Sequence, residues 1–209
     1  MQKNKTYCLL FIALISSLGY SQAPKKTLHT QFCNEKINVD GKLTEAIWAK
    51  ADIAKDFLMI NPDNGKPEPK ERRTEVKVVY DNDAIYIGAT LYDNEPSKIR
   101  KELASRDSDA SADIFGVFIN GYNDSQQEAR FAVSAAGVQT DAMYTSNGNQ
   151  DLSWNAIWDS HVEITNYGWV VEMKIPYAAL RFSSEKKQTW GLNFYRDINR
   201  DRQQFTWNL

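Results

Sequence analysis

The sequence predicts an all-β sandwich, immunoglobulin-like or jelly-roll-like, with one short helix. Three observations carry that expectation. Apolar and polar residues alternate with period two in several short runs. Turn residues punctuate the runs at Asn120-Gly121, Ala136-Gly137, Asn147-Gly148 and Tyr167-Gly168. Only one stretch has convincing helical spacing. Many short alternating strands without a strand–helix–strand rhythm favour two packed sheets over a doubly wound parallel sheet.

The elements follow in chain order. Residues 22–34 are polar and patternless, and read as a linker. The module itself is expected over 35–209. Asp40-Gly41 is a turn signal, and residues 44–51 form the helix. Thr44 is its expected cap, and Leu43 can pack on Trp48 across the first turn. Three prolines keep residues 61–70 in a loop. In 74–80, Val76, Val78 and Tyr80 share one face; in 84–92, Ile85, Ile87, Ala89 and Leu91 do. Residues 114–120 are a nearly continuous apolar run of strand length. Phe131 and Val133 mark a strand over 129–135. In 168–175, Trp169, Val171, Met173 and Ile175 point inward while Glu172 and Lys174 point outward. Pro176 suits the start of a single helical turn. Trp190, Leu192 and Phe194 alternate, as do Phe205 and Trp207. The pattern is still running at Leu209, so the module is expected to continue in a longer chain.

The amino-terminal residues are set apart from this fold. Lys3 and Lys5 precede an apolar run over 8–15 that is too short to span a bilayer, and small residues follow. This is the anatomy of a secretory signal peptide over 1–21, with Gly19 and Ser21 at the small positions. Its removal takes two lysines and no acids, moving the formal net charge from −2 to −4. The expected destination is the periplasm, the outer membrane or the cell exterior. Cys33 is then the single thiol, so no internal disulfide is expected and the core carries stability alone. The balanced charge gives no electrostatic case for nucleic acid.

Several motifs together resemble the family-nine carbohydrate-binding module. They are Ile37-x-Val39-Asp40-Gly41-x-Leu43-x-Glu45-x-x-Trp48, the run 75–87 ending in Tyr92-Asp93, residues 168–177, and Trp190-Gly191-Leu192-Asn193-Phe194. Arg106-Asp107, residues 137–141, Trp154-x-x-x-Trp158 and Leu180-Arg181-Phe182 are similar to the amino-terminal module of large exported bacterial proteins. The likeness spans about residues 35–209. It implies a sandwich of the kind shared by carbohydrate-binding and haem-binding (DOMON-type) modules. It also implies binding of a polysaccharide or oligosaccharide without catalysis, in support of carbohydrate catabolism by a larger protein. In sugar-binding members two Trp rings clamp the sugar beside an Arg. Here the stretch matching the first ring, 109–112, has no aromatic; Ala132 stands where the Arg aligns; and the second ring falls near or beyond Trp207. A structural or interaction module that kept the fold and lost this pocket is the alternative.

Ring stacking needs exposed aromatic faces with polar neighbours. Trp48, Trp169 and Trp190 are in phase with core positions. Trp154 and Trp158 lie in a polar stretch after a Gly/Asn loop and are the best platform, although a packing role also fits. With Arg106 and Asp107 they form the candidate ligand-binding set. Asp107, Asp109 and Asp113 are a candidate calcium set, since calcium takes several oxygen ligands on flexible backbone. A solvated loop is the alternative, with Arg106 pairing one acid. No nucleophile elbow, phosphate loop or HExxH motif occurs, so no enzyme activity is expected. A haem-binding sandwich is the remote alternative, with Met143 and His161 as ligands and Met59 as another, against ordinary packing roles for each.

Overall fold

A computed structural model describes residues 25–108 and 111–209. The expected leader over 1–21 lies outside the described residues, as does Asp109. In chain order the elements are β1 (Gln31–Phe32), α1 (Ala46–Lys50), β2 (Ile53–Ala54), β3 (Leu58–Asn61), β4 (Thr74–Tyr80), β5 (Ala84–Tyr92) and β6 (Ile114–Asn120). They continue as β7 (Gln127–Ser134), β8 (Gln139–Thr145), β9 (Gln150–Asp151), β10 (Asp159–Thr165), β11 (Gly168–Pro176), β12 (Gly191–Ile198) and β13 (Gln203–Thr206).

The strands form two sheets. One runs β1–β4–β5–β11–β10, with β2 also on β4; the other runs β3–β13–β12–β6–β7–β8–β9. Every pairing is antiparallel except β1 with β4. The inward faces meet in one core. Val76, Ile87, Leu91, Trp169, Val171 and Ile175 come from the first sheet; Phe115, Val117, Phe131, Phe194 and Phe205 come from the second. The inward residues of β4, β5 and β11 are those the period-two pattern selects, because successive strand side chains alternate between faces.

A smaller cluster covers the outer face of the six-stranded sheet. Trp48 from α1 is buried there with Cys33, Ile37, Val79 and Tyr86, and Leu43 packs against the same cluster. The helix is shorter than expected, and Thr44 does not cap it. Glu45 occupies the cap position without a side-chain cap bond. Instead Ile47 N–H donates to Glu35 Oε1 at 2.8 Å, so a carboxylate twelve residues upstream serves the helix start.

The Asp40-Gly41 turn is fixed by β11. Glu172, 1% exposed, accepts N–H from Asp40 at 2.9 Å and from Gly41 at 2.8 Å through one carboxylate oxygen. Gly41 has φ +82°, and a Cβ there would sit 2.9 Å from His161 Cδ2. Both demands exclude a larger residue.

Residues 25–34 are docked rather than loose. β1 pairs with β4, Cys33 N–H donates to Tyr80 O at 2.7 Å, and Lys26 N–H donates to Asn208 Oδ1 at 2.8 Å. Backbone hydrogen bonds need no sequence pattern, which is why the segment reads as a linker. Among the described residues no helix is long and apolar enough to cross a membrane.

Candidate functional site

The four expected ligand-binding residues come together, but as an internal clasp. Asp141 on β8 is fully buried. It pairs with Arg106 Nη2 and accepts Ala156 N–H at 2.6 Å and Trp158 Nε1–H at 3.4 Å. Arg106 also donates to Gln139 Oε1 and to Ala156 O. Asp107 Oδ1 accepts Asp141 N–H at 3.0 Å, and its other oxygen lies 3.4 Å from Arg106 Nε. The loop before β6 and the loop before β10 are thereby tied to the same strand. The two indoles stand edge-on to Phe131, with centroids at 5.7 Å for Trp154 and 5.4 Å for Trp158. Trp158 is only 4% exposed and Trp154 is half-buried against the core. These contacts support the packing role for both rings. An open groove of about 640 Å³ is lined by Lys36, Asn38, Gln139, Asp159, Ser160 and Lys174 together with the nearly buried Trp158.

Of the calcium set, Asp109 lies outside the described residues and the other two acids are engaged elsewhere. Asp107 is committed to Arg106 and to backbone. Asp113 is buried, accepts Asn199 N–H at 3.1 Å, and faces the guanidinium groups of Arg196 and Arg200. A carboxylate already opposed by two fixed cations is a poor cation ligand. Among the described residues no group of three or more His, Cys, Asp or Glu is placed to hold a metal. The haem pairing is likewise contradicted. Met59 is core, Met143 packs against the core from β8, and His161 is exposed on the outer side of the opposite sheet, across from Glu172. Met143 and His161 cannot grip one ligand from opposite sides of a packed sheet.

A different constellation occupies the outer face of the seven-stranded sheet. Register places Gly116 beside both Ala132 and Tyr195, Phe118 beside both Arg130 and Asn193, and Arg130 beside Ala142. Residues paired across strands project to the same side. Their neighbours Phe115, Val117, Phe131 and Phe194 point into the core, so Phe118, Arg130, Tyr144 and Tyr195 face outward. All four are half-buried. The Phe118 ring centroid lies 5.4 Å from Tyr144 and 5.4 Å from Tyr195. Gly116 makes room for this. A Cβ there would lie 2.2 Å from Tyr195 Cε1, so only glycine lets that ring lie down across β6.

Arg130 crosses the face to Tyr195. Its Nε donates to Tyr195 Oη at 2.8 Å, and Nη2 donates to the same oxygen. With its lone pairs occupied, the phenol has its own O–H free to donate. Burial pushes the Tyr195 hydroxyl up to about 12, so it stays a neutral donor. The face also carries Asp197, whose Oδ2 accepts Gln204 Nε2–H at 3.1 Å, and Glu128; burial raises both carboxyls. Toward the start of β6 the face ends in a hollow of about 20 Å³ between Ser108, Ala112, Ile114, Ala132, Ser134 and Thr140. That holds roughly one water and no sugar ring.

The strand signals for this face were present but masked. Ile114 and Phe118 are outward members of the apolar run 114–120, and their presence is why that run fails to alternate. Arg130 lies on a strand whose inward members were recognised, yet nothing local tells a bound guanidinium from a solvated one.

A family model described as carbohydrate family 9 binding domain-like matches residues 39–207. The chain is similar in fold to a family 9 carbohydrate-binding module from Caldicellulosiruptor kristjanssonii solved in complex with cellotriose. The TM-score is 0.52 at 14% identity, covering 87% of this chain and 83% of that one. It is also similar to a candidate carbohydrate-binding protein from Bacteroides uniformis, with a TM-score of 0.65 at 11% identity, covering 88% and 89%. No curated protein matches the chain.

Proposed function

Because the chain belongs to the carbohydrate family 9 binding domain-like family, we propose that it binds a polysaccharide or oligosaccharide, without catalysis, on the outer face of its seven-stranded sheet. The observation that carries this reading is the cluster of three half-buried rings beside a fixed guanidinium. A pyranose has an apolar C–H face, which stacks on aromatic rings, and a polar rim, which needs donors such as Arg130 and the Tyr195 hydroxyl. The cellotriose complex of the Caldicellulosiruptor kristjanssonii module supports a β-linked glucan as one ligand to try. The module is further proposed to be exported, to the periplasm, outer membrane or cell exterior, and to serve carbohydrate catabolism by a larger protein. Fractionation of expressing cells tests the location: signal-processed protein outside the cytoplasm agrees, and unprocessed cytoplasmic protein does not.

Calorimetric titration with a panel of oligosaccharides tests the binding. Saccharide binding that falls at least about tenfold in Phe118→Ala, in a variant that still unfolds cooperatively well above the assay temperature, is the expected result. A panel with no ligand for the folded protein favours a second reading, a structural or interaction module. The observation behind that reading is the water-sized hollow at Ala132, where sugar-binding members align an Arg.

A further inference from the structure

We propose that the preferred saccharide is acidic, and that Arg130 receives its anionic substituent, a uronate carboxylate or a sulfate ester. The inference rests on the carbohydrate-binding reading and narrows its ligand class. Among the described residues Arg130 has no carboxylate within ion-pair distance, although the other two half-buried arginines do: Arg72 pairs with Glu95 and Asp201, and Arg200 with Asp93 and Asp201. Arg196, which is wholly buried and has no ion pair either, spends its donors on carbonyls of Arg72, Arg73 and Tyr92. Arg130 has no such carbonyls. Its protein partner is a neutral phenol, which fixes the guanidinium without neutralising it.

The geometry suits a planar anion. Nε and Nη2 are turned to Tyr195 Oη, and the Cζ atom stands 5.2 Å from the centre of the Tyr195 ring. The Tyr144 hydroxyl also stands close enough to interact with the guanidinium, a second neutral partner. A guanidinium presents five N–H donors in a rigid fork, so this arrangement leaves N–H groups for a ligand. The free Tyr195 O–H lies beside them and adds a neutral donor. The acids of the same face do not take the anion's place. Asp197 is engaged by Gln204, and Glu128 stands beside Tyr144, outside ion-pair distance of Arg130. Phe118 and Tyr144 flank the guanidinium and supply the surface for the sugar ring that carries the charge.

The test uses the whole folded chain and four oligosaccharides of equal length: an oligogalacturonate, its methyl ester, a sulfated oligosaccharide and a neutral cello-oligosaccharide. The galacturonate is expected to bind about tenfold or more tighter than its own methyl ester, with affinity falling as salt rises. Arg130→Gln should bring the two to equal affinity, while Arg130→Lys keeps part of the preference. Preference for the sulfated ligand over all others also supports the proposal and names sulfate as the anion. Equal binding of the acid and its ester by the wild-type protein, with no preference for the sulfated ligand, overturns it and leaves the carbohydrate reading standing. Absence of binding to all four overturns the carbohydrate reading itself. The ester comparison needs no variant, so the outcome does not depend on Arg130→Gln folding.

Discussion

Glu172 shows how much a single side chain organises here. It sits on β11, and through one oxygen it holds the Asp40-Gly41 turn that leads into α1. Glu172→Ala leaves two backbone N–H groups without a partner in a buried site. It should cost about 2–3 kcal/mol in urea unfolding, with Glu172→Gln recovering part of the loss. Asp113 makes a pH-dependent contribution. Burial pushes its carboxyl from 3.8 up to about 6, opposed by Arg196 and Arg200. The folded state therefore binds this proton more tightly than the unfolded state does. The group's contribution to stability is full below its unfolded value and is lost as pH rises through about 6. Asp113→Asn should flatten that part of the stability–pH curve; an unchanged slope would remove Asp113 from the account. At this scale the sequence was partly readable. Asp40-Gly41 announces a turn, but the partner 131 residues away does not announce itself.

Among the elements, the loop before β6, strand β8 and the loop before β10 act as one unit through Asp141. Asp141→Ala frees Arg106, Ala156 N–H and the Trp158 indole together. It should destabilise by about 2–4 kcal/mol, less than for a wholly buried pair because Arg106 can regain water. Indole emission should shift to the red as the loop loosens. Trp154→Phe, in contrast, should lower the melting temperature and leave saccharide affinity unchanged, since Trp154 packs on Phe131 rather than on a ligand. A large loss of affinity in a variant that melts normally would restore the loop as the binding surface. The elements differ in legibility for the same physical reason. β4, β5 and β11 alternate cleanly because one of their faces joins the main core. β8 carries Asp141 on its inward side, which hides its alternation; β10 does alternate, with exposed Asp159, His161 and Glu163, but as an edge strand it sets only Val162 and Ile164 against the core and so stands out little.

The whole molecule is a sandwich whose two outer faces have different uses. The outer face of the six-stranded sheet is roofed by α1 and the Trp48 cluster, and the turn motif that the resemblance rests on builds that roof. Among the described residues the outer face of the seven-stranded sheet carries no such cover and instead presents Phe118, Arg130, Tyr144 and Tyr195. The residues most informative about fold are thus remote from those proposed to bind. This is why the fold could be read from alternation and motif while the site could not: two sheets share a core at low identity as long as apolar periodicity is kept, whereas a surface cluster depends on register between strands. The most direct measurement is amide chemical-shift perturbation of the labelled protein during titration with the tightest oligosaccharide found. Shifts centred on Phe118, Arg130, Tyr144 and Tyr195 are predicted. Shifts centred on the 152–158 loop or the groove at Lys36 and Lys174, with the outer sheet face unmoved, would contradict it.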